Sequence, residues 1–178
     1  EDLASQIGKT VAELKEIDKK IIAYNEKIIA NPDDADAHFN LGTLYELKMK
    51  FNDAISEYQK TIQLKPDSIE ARINLSLVYT ERNMYQESVS TLRQVLEIDP
   101  ENVDAHKYIG RSYYKTGLLN EALAEFKKAL EIDKKDPEIY CYLESVYFSM
   151  GRLDDAVAEL KKAIEINPQF KTAHLNLG

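Results

Sequence analysis

One period governs the whole chain. Tyr45, Tyr79, Tyr113 and Tyr147 stand 34 residues apart. Ala54, Ser88, Ala122 and Ala156 keep the same spacing, as do Tyr58, Leu92, Phe126 and Leu160. Leu41, Leu75, Ile109, Leu143 and Leu177 form another series, and the residue after each reads Gly42, Ser76, Gly110, then Glu144. Pro32, Pro66, Pro100 and Pro168 share the period, with Lys134 where a fifth proline would fall. A period kept without insertion means one supersecondary unit copied in tandem. Such a unit cannot bury its apolar face alone and stacks on its neighbours. The 178 residues hold five periods and eight residues more.

The spacing predicts repeats over 35–68, 69–102, 103–136 and 137–170, each of two helices. Ala105, Ile109 and Tyr113 share one helical face in the first half of their repeat, and Leu123, Phe126 and Leu130 share one in the second. Gly117 is placed to end the first helix. Asp34, Ser68, Asn102 and Asp136 precede the first helices as N-caps, and Pro137 takes the favoured first helical position. The second helices are expected to open at Asn52, Asn120 and Asp154, with Gln86 the exception. A proline after each second helix cannot continue it.

A 34-residue helix–turn–helix with Leu41-Gly42, Tyr45, Ala54, Tyr58 and Pro66 resembles the tetratricopeptide repeat. Ile109, Gly110, Tyr113, Ala122, Phe126 and Ala129 repeat the pattern, and the likeness covers 35–170. It implies an all-α solenoid of antiparallel helix pairs, forming part of a right-handed superhelix. The departures are Lys134 for the corner proline and Glu144 for a small residue at a close helix contact. Glu144 is expected to snorkel to the rim, since carboxylates are seldom buried.

The two ends are less regular. Residues 1–34 keep Ile7, Gly8, Val11, Tyr24 and Pro32 in register, but Lys20 and Lys27 stand where small residues pack. A degenerate first repeat or capping hairpin is favoured. One long amphipathic helix is the alternative, because Leu3, Ile7, Leu14, Ile17, Ile21, Tyr24 and Ile28 recur every three or four residues. Residues 171–178 are expected to begin a further helix, truncated or capping, with Ala173, His174 and Leu177 in phase. That remainder suggests a longer array, or an end that another chain covers.

The resemblance implies that the first helix of each pair lines a concave groove. Two features of that lining suggest a protein-binding site. Asn40, Asn74 and Asn176 hold one repeat position, interrupted by Tyr108 and Tyr142. A side-chain amide donates and accepts, so it can pair with an extended peptide backbone, as in the asparagine ladder of some peptide-binding solenoids. Lys107, Arg111 and Lys115 form a stripe at i, i+4, i+8. Theirs is the one repeat with a basic excess, 7 basic against 6 acidic residues. Flanked by Tyr108 and Tyr114, the stripe could anchor a carboxylate of a peptide. The alternative is that Asp104 and Glu138 neutralise it from within. Capture of chaperone C-terminal tails, known for some family members, is not expected. Of the matching positions Phe39, Thr43, Asn74, Asp104 and Tyr108, only Asn74 carries the required residue type. A register starting at Lys107 fits no better.

Other chemistry is not expected. The net charge of −8 opposes nucleic-acid binding and anionic membranes. Cys141 is the single cysteine, which rules out an intrachain disulfide and a multi-cysteine metal site. His38, His106 and His174 share a repeat position, yet neighbouring helices lie about 8–10 Å apart and metal–ligand bonds are about 2 Å, so they cannot share an ion. No phosphate-binding glycine loop or H-E-x-x-H is present. No cofactor and no catalytic residue are expected. The function expected is a non-enzymatic interaction module or scaffold holding a peptide or helix of a partner protein. The alternatives are a recruiting arm of a larger enzyme, such as a glycosyltransferase, and a scaffold stacking on its own copies through its ends. A cytoplasmic location is expected from the lone cysteine and the lack of a visible leader, with a removed leader left open because the chain begins at Glu1.

Overall fold

The computed structural model describes residues 3–170, and these form nine α-helices with no strand. They are α1 (Leu3–Ala30), α2 (Ala35–Leu47), α3 (Phe51–Leu64), α4 (Ile69–Glu81), α5 (Tyr85–Ile98), α6 (Val103–Lys115), α7 (Leu119–Ile132), α8 (Pro137–Ser149) and α9 (Leu153–Ile166). The expected helix at 171–178 lies outside the described residues. The chain divides into two compact units, one ending at Val78 and the other beginning at Tyr79, inside α4.

Each first helix is capped as its sequence requires. Asp34 Oδ1 accepts from Ala37 N at 3.0 Å, Asn102 Oδ1 from Ala105 N at 3.0 Å, and Asp136 Oδ1 from Glu138 N at 2.8 Å. Ser68 Oγ accepts from Ala71 N at 3.3 Å. These bonds satisfy amides that a helix start leaves without partners.

The turns inside the pairs are equally regular. Met49, Asn83, Gly117 and Gly151, 34 apart, adopt φ of 56°, 58°, 78° and 73°. The next amide reaches back over the turn: Lys50 N to Tyr45 O at 2.8 Å, Leu118 N to Tyr113 O at 2.9 Å, and Arg152 N to Tyr147 O at 2.9 Å. This left-handed closure satisfies the last carbonyls of the first helix. The second helices then begin at Phe51, Tyr85, Leu119 and Leu153, one residue before the expected starts, and have no side-chain cap. Asn52, Asn120 and Asp154 therefore lie inside the first turn. The tight corner sets the entry into the second helix, so a capping side chain is not needed there.

The first unit corrects the favoured reading of residues 1–34. Its N-terminal part is one continuous helix of 28 residues, not a hairpin. No glycine or proline interrupts the chain between Gly8 and Pro32, and the three-and-four spacing of apolar residues suits one helix. Ile17, Ile21, Tyr24 and Ile28 are half-buried, and α1 packs on α2. Beyond α1 the core gathers Ala37, Leu41, Ala54 and Tyr58, all nearly inaccessible. The Tyr58 ring lies directly under Gly42: a Cβ on that glycine would sit 2.8 Å from Cε1. Its hydroxyl donates to Glu46 Oε2 at 2.9 Å and receives Asn74 Nδ2 at 3.4 Å. Burial, ahead of the Glu46 charge, raises its pKa.

In the second unit the same joint recurs. A Cβ on Gly110 would sit 2.8 Å from Phe126 Cε1. Phe126 belongs to a core with Ile139, Leu143, Val146 and Tyr147, and Tyr140, Cys141, Leu160 and Ala163 form a second cluster. Glu144 stands where the other repeats place Gly42, Ser76 and Gly110, and is only 8% exposed, so it does not snorkel as expected. Its carboxylate accepts from Ser145 Oγ at 3.1 Å. Sixteen residues on stands Leu160, not an aromatic ring, and the smaller side chain gives a larger neighbour room.

One further position ties each first helix to the corner before it. His38 donates from Nδ1 to Glu57 Oε2 at 2.6 Å, with Nε2 3.1 Å from Pro32 O. His106 repeats this with Glu125 at 2.6 Å and Pro100 O at 3.3 Å. Arg72 Nη1 donates to Ser68 O at 3.1 Å, and the Tyr140 hydroxyl to Lys134 O at 3.1 Å. His38, His106 and Tyr140 thus reach the same corner carbonyl six residues back, while Arg72 bonds the N-cap carbonyl of its own helix four residues back.

Candidate functional site

The residues of the basic stripe sit on α6, and α8 packs against it. Lys107 is buried rather than presented to solvent, 8% exposed. Its Nζ lies 3.1 Å from Asp104 Oδ1, 3.2 Å from Asp136 Oδ2 and 3.2 Å from Glu138 Oε2. Desolvation pulls its pKa down, but the bond to Asp104 and the charges of Asp136, Asp104 and Glu138 outweigh it, and the net shift is upward. Lys107 is thus neutralised internally by the two carboxylates expected from the sequence and by Asp136. The N-cap of α8 is 29 residues away, so helical spacing could not reveal it; only the repeat register places it near α6.

Arg111 is different. Its side chain is 26% exposed, and its guanidinium lies 3.9 Å from Glu81, itself 60% exposed. The cation stands over the Tyr108 ring at 5.9 Å, a distance at which ring and cation attract. Tyr142 stacks on buried Phe126, with ring centroids 5.1 Å apart and planes within 10°. Its hydroxyl donates to Glu138 Oε1 at 3.0 Å. Burial first, then the Glu138 charge, pushes its pKa up to about 12. Tyr108 also shifts upward, through burial and Asp104. Both phenols therefore remain neutral donors at ordinary pH. Tyr114 meets Ser149 across the two helices, O to O 3.3 Å. Phe148, next to Ser149 in sequence, is 63% exposed, and Lys115 is exposed at the end of α6. The face thus offers three tyrosines, an exposed phenylalanine and one partly screened guanidinium.

The asparagines behave otherwise. In the first unit Asn40 Nδ2 donates to Asp36 O of its own helix at 2.7 Å, and Asn74 Nδ2 to the Tyr58 hydroxyl. Each amide keeps its oxygen as an acceptor. Asn176 lies outside the described residues. Cys141 is buried, and burial, with Glu144, Glu138 and Asp136 nearby, pushes its thiol from 9.0 up to about 11. A thiol so raised is a poor nucleophile near neutrality.

A feature that periodicity did not disclose is an open groove of about 480 Å³ between α5 and α6, walled by Val89, Arg93, Tyr113 and Leu118. Arg93 Nη2 donates to the Tyr113 hydroxyl at 2.8 Å there. It lies apart from the stripe because Tyr113 and Tyr114 leave α6 in different directions. Among the described residues no group of three His, Cys, Asp or Glu is placed to hold a metal ion, and no helix is long and apolar enough to cross a membrane.

Comparison with known proteins bears on the whole chain. Family models described as tetratricopeptide repeat match residues 22–69 and 79–144, and one described as TPR repeat matches 145–178. No curated protein matches in sequence. A crystal structure of MamA protein is similar at a TM-score of 0.78, with 25% identity over 97% of this chain and 93% of that one. YrrB, described as a TPR protein with an unusual peptide-binding site, gives 0.75 with 19% identity over 94% of this chain and 87% of that one. A thermophilic TPR protein in Thermus thermophilus also gives 0.75, at 23% identity over 97% and 94% of the two chains.

Proposed function

The chain belongs to the tetratricopeptide repeat family, and on that premise we propose that it is a non-enzymatic interaction module whose α6–α8 face holds a segment of a partner protein. The observation that carries this reading is Arg111, partly exposed over the Tyr108 ring and beside the Tyr142 hydroxyl. Rigid aromatics around one arginine make contact area at low entropic cost, and such residues dominate binding energies. Arg111 would take an acidic side chain or terminal carboxylate of the segment, displacing the weak contact with Glu81. Tyr114 and Phe148 would cover an apolar residue, with Lys115 at the rim. Lys107 has a different task in this reading: spent on three carboxylates, it fixes α6 against α8 and so sets the spacing of the tyrosines. In the first unit Asn40 and Asn74 would use their amide oxygens to accept from a peptide backbone, and Asn176 would continue that series. A cytoplasmic location is part of the same reading.

Panning a library of random displayed peptides against the full chain tests it. Enriched peptides are expected to pair an acidic residue with an apolar neighbour, and to lose at least about tenfold in affinity for Arg111→Glu, the effect of a charge partner turned repulsive. Peptides whose affinity is unchanged by Arg111→Glu and by Tyr108→Ala would refute the site.

A further inference from the structure

The second helix of a pair carries three positions that its first helix covers. In α3 they are Ala54, Tyr58 and Thr61; in α7 Ala122, Phe126 and Ala129; in α9 Ala156, Leu160 and Ala163. None is more than 4% exposed. At the same repeat phase α1 carries Lys20, Tyr24 and Lys27. Both lysines are exposed and Tyr24 is half-buried. Because α1 runs on as one helix, no first helix among the described residues folds back over that face. What remains is an open groove of about 390 Å³, bounded by Lys20, Tyr24 and Lys27 of α1 and by Asn40, Thr43 and Leu44 of α2. The Lys27 ammonium stands 4.8 Å from the Tyr24 ring centroid.

The complete pairs show how such a face is covered. The small residue of the first helix lies over the ring, as Gly42 over Tyr58 and Gly110 over Phe126. Four residues further along, the first helix meets the position one turn before the ring: Thr80 bonds Ser88, Oγ1 to Oγ 3.0 Å. Three residues before the small residue, it meets the position after the ring: Phe39 and Thr61 line one cavity. Transferred to α1, a helix with its small residue over Tyr24 brings its +4 residue to Lys20 and its −3 residue to Lys27. A lysine that takes the place of a packed alanine needs a counter-charge when covered.

We propose that this groove docks a helix of another protein, reading acidic–x–x–Gly or Ser–x–x–x–acidic along one face. The helix completes an open repeat, with glycine or serine on Tyr24 and a carboxylate on each lysine. A second copy of this chain does not fit. None of its described first helices has an acid at both positions: Phe39 and Glu46 flank Gly42, Ile73 and Thr80 flank Ser76, Lys107 and Tyr114 flank Gly110, and Cys141 and Phe148 flank Glu144.

The test uses two labelled helical peptides of about 20 residues, long enough for five helical turns. One carries Glu–x–x–Gly–x–x–x–Glu on an alanine–leucine helix, and its twin has lysines for the two glutamates. Fluorescence anisotropy against the full chain is expected to show the acidic peptide bound at least about tenfold tighter than its twin, and Lys20→Glu/Lys27→Glu to reverse the order. Both lysines are exposed, so the variant is expected to keep its helical circular dichroism. Arg111→Glu should leave this binding unchanged, which separates it from the α6–α8 face. Absence of binding, or a preference that survives the double variant, overturns the proposal. So does self-association in sedimentation that the double variant abolishes, which would make a second copy the occupant.

Discussion

The pairs α2–α3 and α6–α7 share a skeleton and differ in what they show to solvent. Both place a glycine on an aromatic ring, bond a histidine to a glutamate at 2.6 Å, and cap the first helix with an Asx side chain. Yet where α2 carries Asn40, Thr43 and Glu46, α6 carries Tyr108, Arg111 and Tyr114, and the place of Phe39 is taken by Lys107, buried among three carboxylates. The glycine over each ring is held by a contact distance that leaves no room for a side chain. The half-exposed positions answer to no such demand and are free to differ.

The strongest way to break the comparison is to strike the shared joint. Gly42→Val and Gly110→Val each force a side chain to within 2.8 Å of a fully buried ring, and each should cost about 2–3 kcal/mol by overpacking. Urea unfolding followed by circular dichroism checks this. Losses differing by more than about 1 kcal/mol would show that the skeletons are not equivalent.

A second test follows the position of Phe39 and Lys107 into α8, where it is Cys141. With its thiol raised from 9.0 to about 11, native Cys141 should react with iodoacetamide at pH 8 about a hundredfold more slowly than the unfolded chain. The sign is that of a group held in its neutral form. Its contribution to stability is whole below about pH 9 and is lost as the pH climbs toward 11. Equal alkylation rates would contradict the buried setting.

Lys107 itself sharpens the contrast between α2 and α6. Lys107→Met leaves Asp104, Asp136 and Glu138 facing one another and should cost about 1–2 kcal/mol, since two of the three are half in water. Phe39→Met, a swap of apolar residues at the matching place in α2, should cost less. Equal costs would deny Lys107 its structural part.

The smallest effect lies in the turns. Met49 holds a left-handed conformation that glycine holds at Gly117 and Gly151. Met49→Gly should gain about 0.5–1 kcal/mol and Gly117→Ala should lose about 1 kcal/mol, read as opposite shifts in melting temperature. Shifts of the same sign would remove backbone strain as the cause.

Much of this architecture is legible in the residues because it is local. The period, the caps Asp34 to Asp136, and the joint between Gly110 and Phe126 all follow from spacings within one repeat. Lys20 and Lys27 look like decayed packing positions, but no breaker near the middle of α1 ends the helix. The starts of the second helices shift by one residue because the left-handed turn, not Asn52 or Asn120, sets the entry. The embrace of Lys107 depends on which groups meet across helices, and its fate is decided by Asp136 and Glu138, about thirty residues away. The α5–α6 groove at Arg93 is a shape, and periodicity carries no information about a void.

The glycine–aromatic joint also has a consequence in time. Gly42 and Tyr58, like Gly110 and Phe126, are separated by only sixteen residues. Closing so short a span takes on the order of 0.1 μs, and helix growth adds on the order of 1 μs. Each pair can thus find its joint before a distant part of the chain arrives. Topologies ruled by such near-neighbour contacts fold in about microseconds to milliseconds. Synthesis adds only about 5–20 residues per second, so a pair has seconds in which to close before its successor is made.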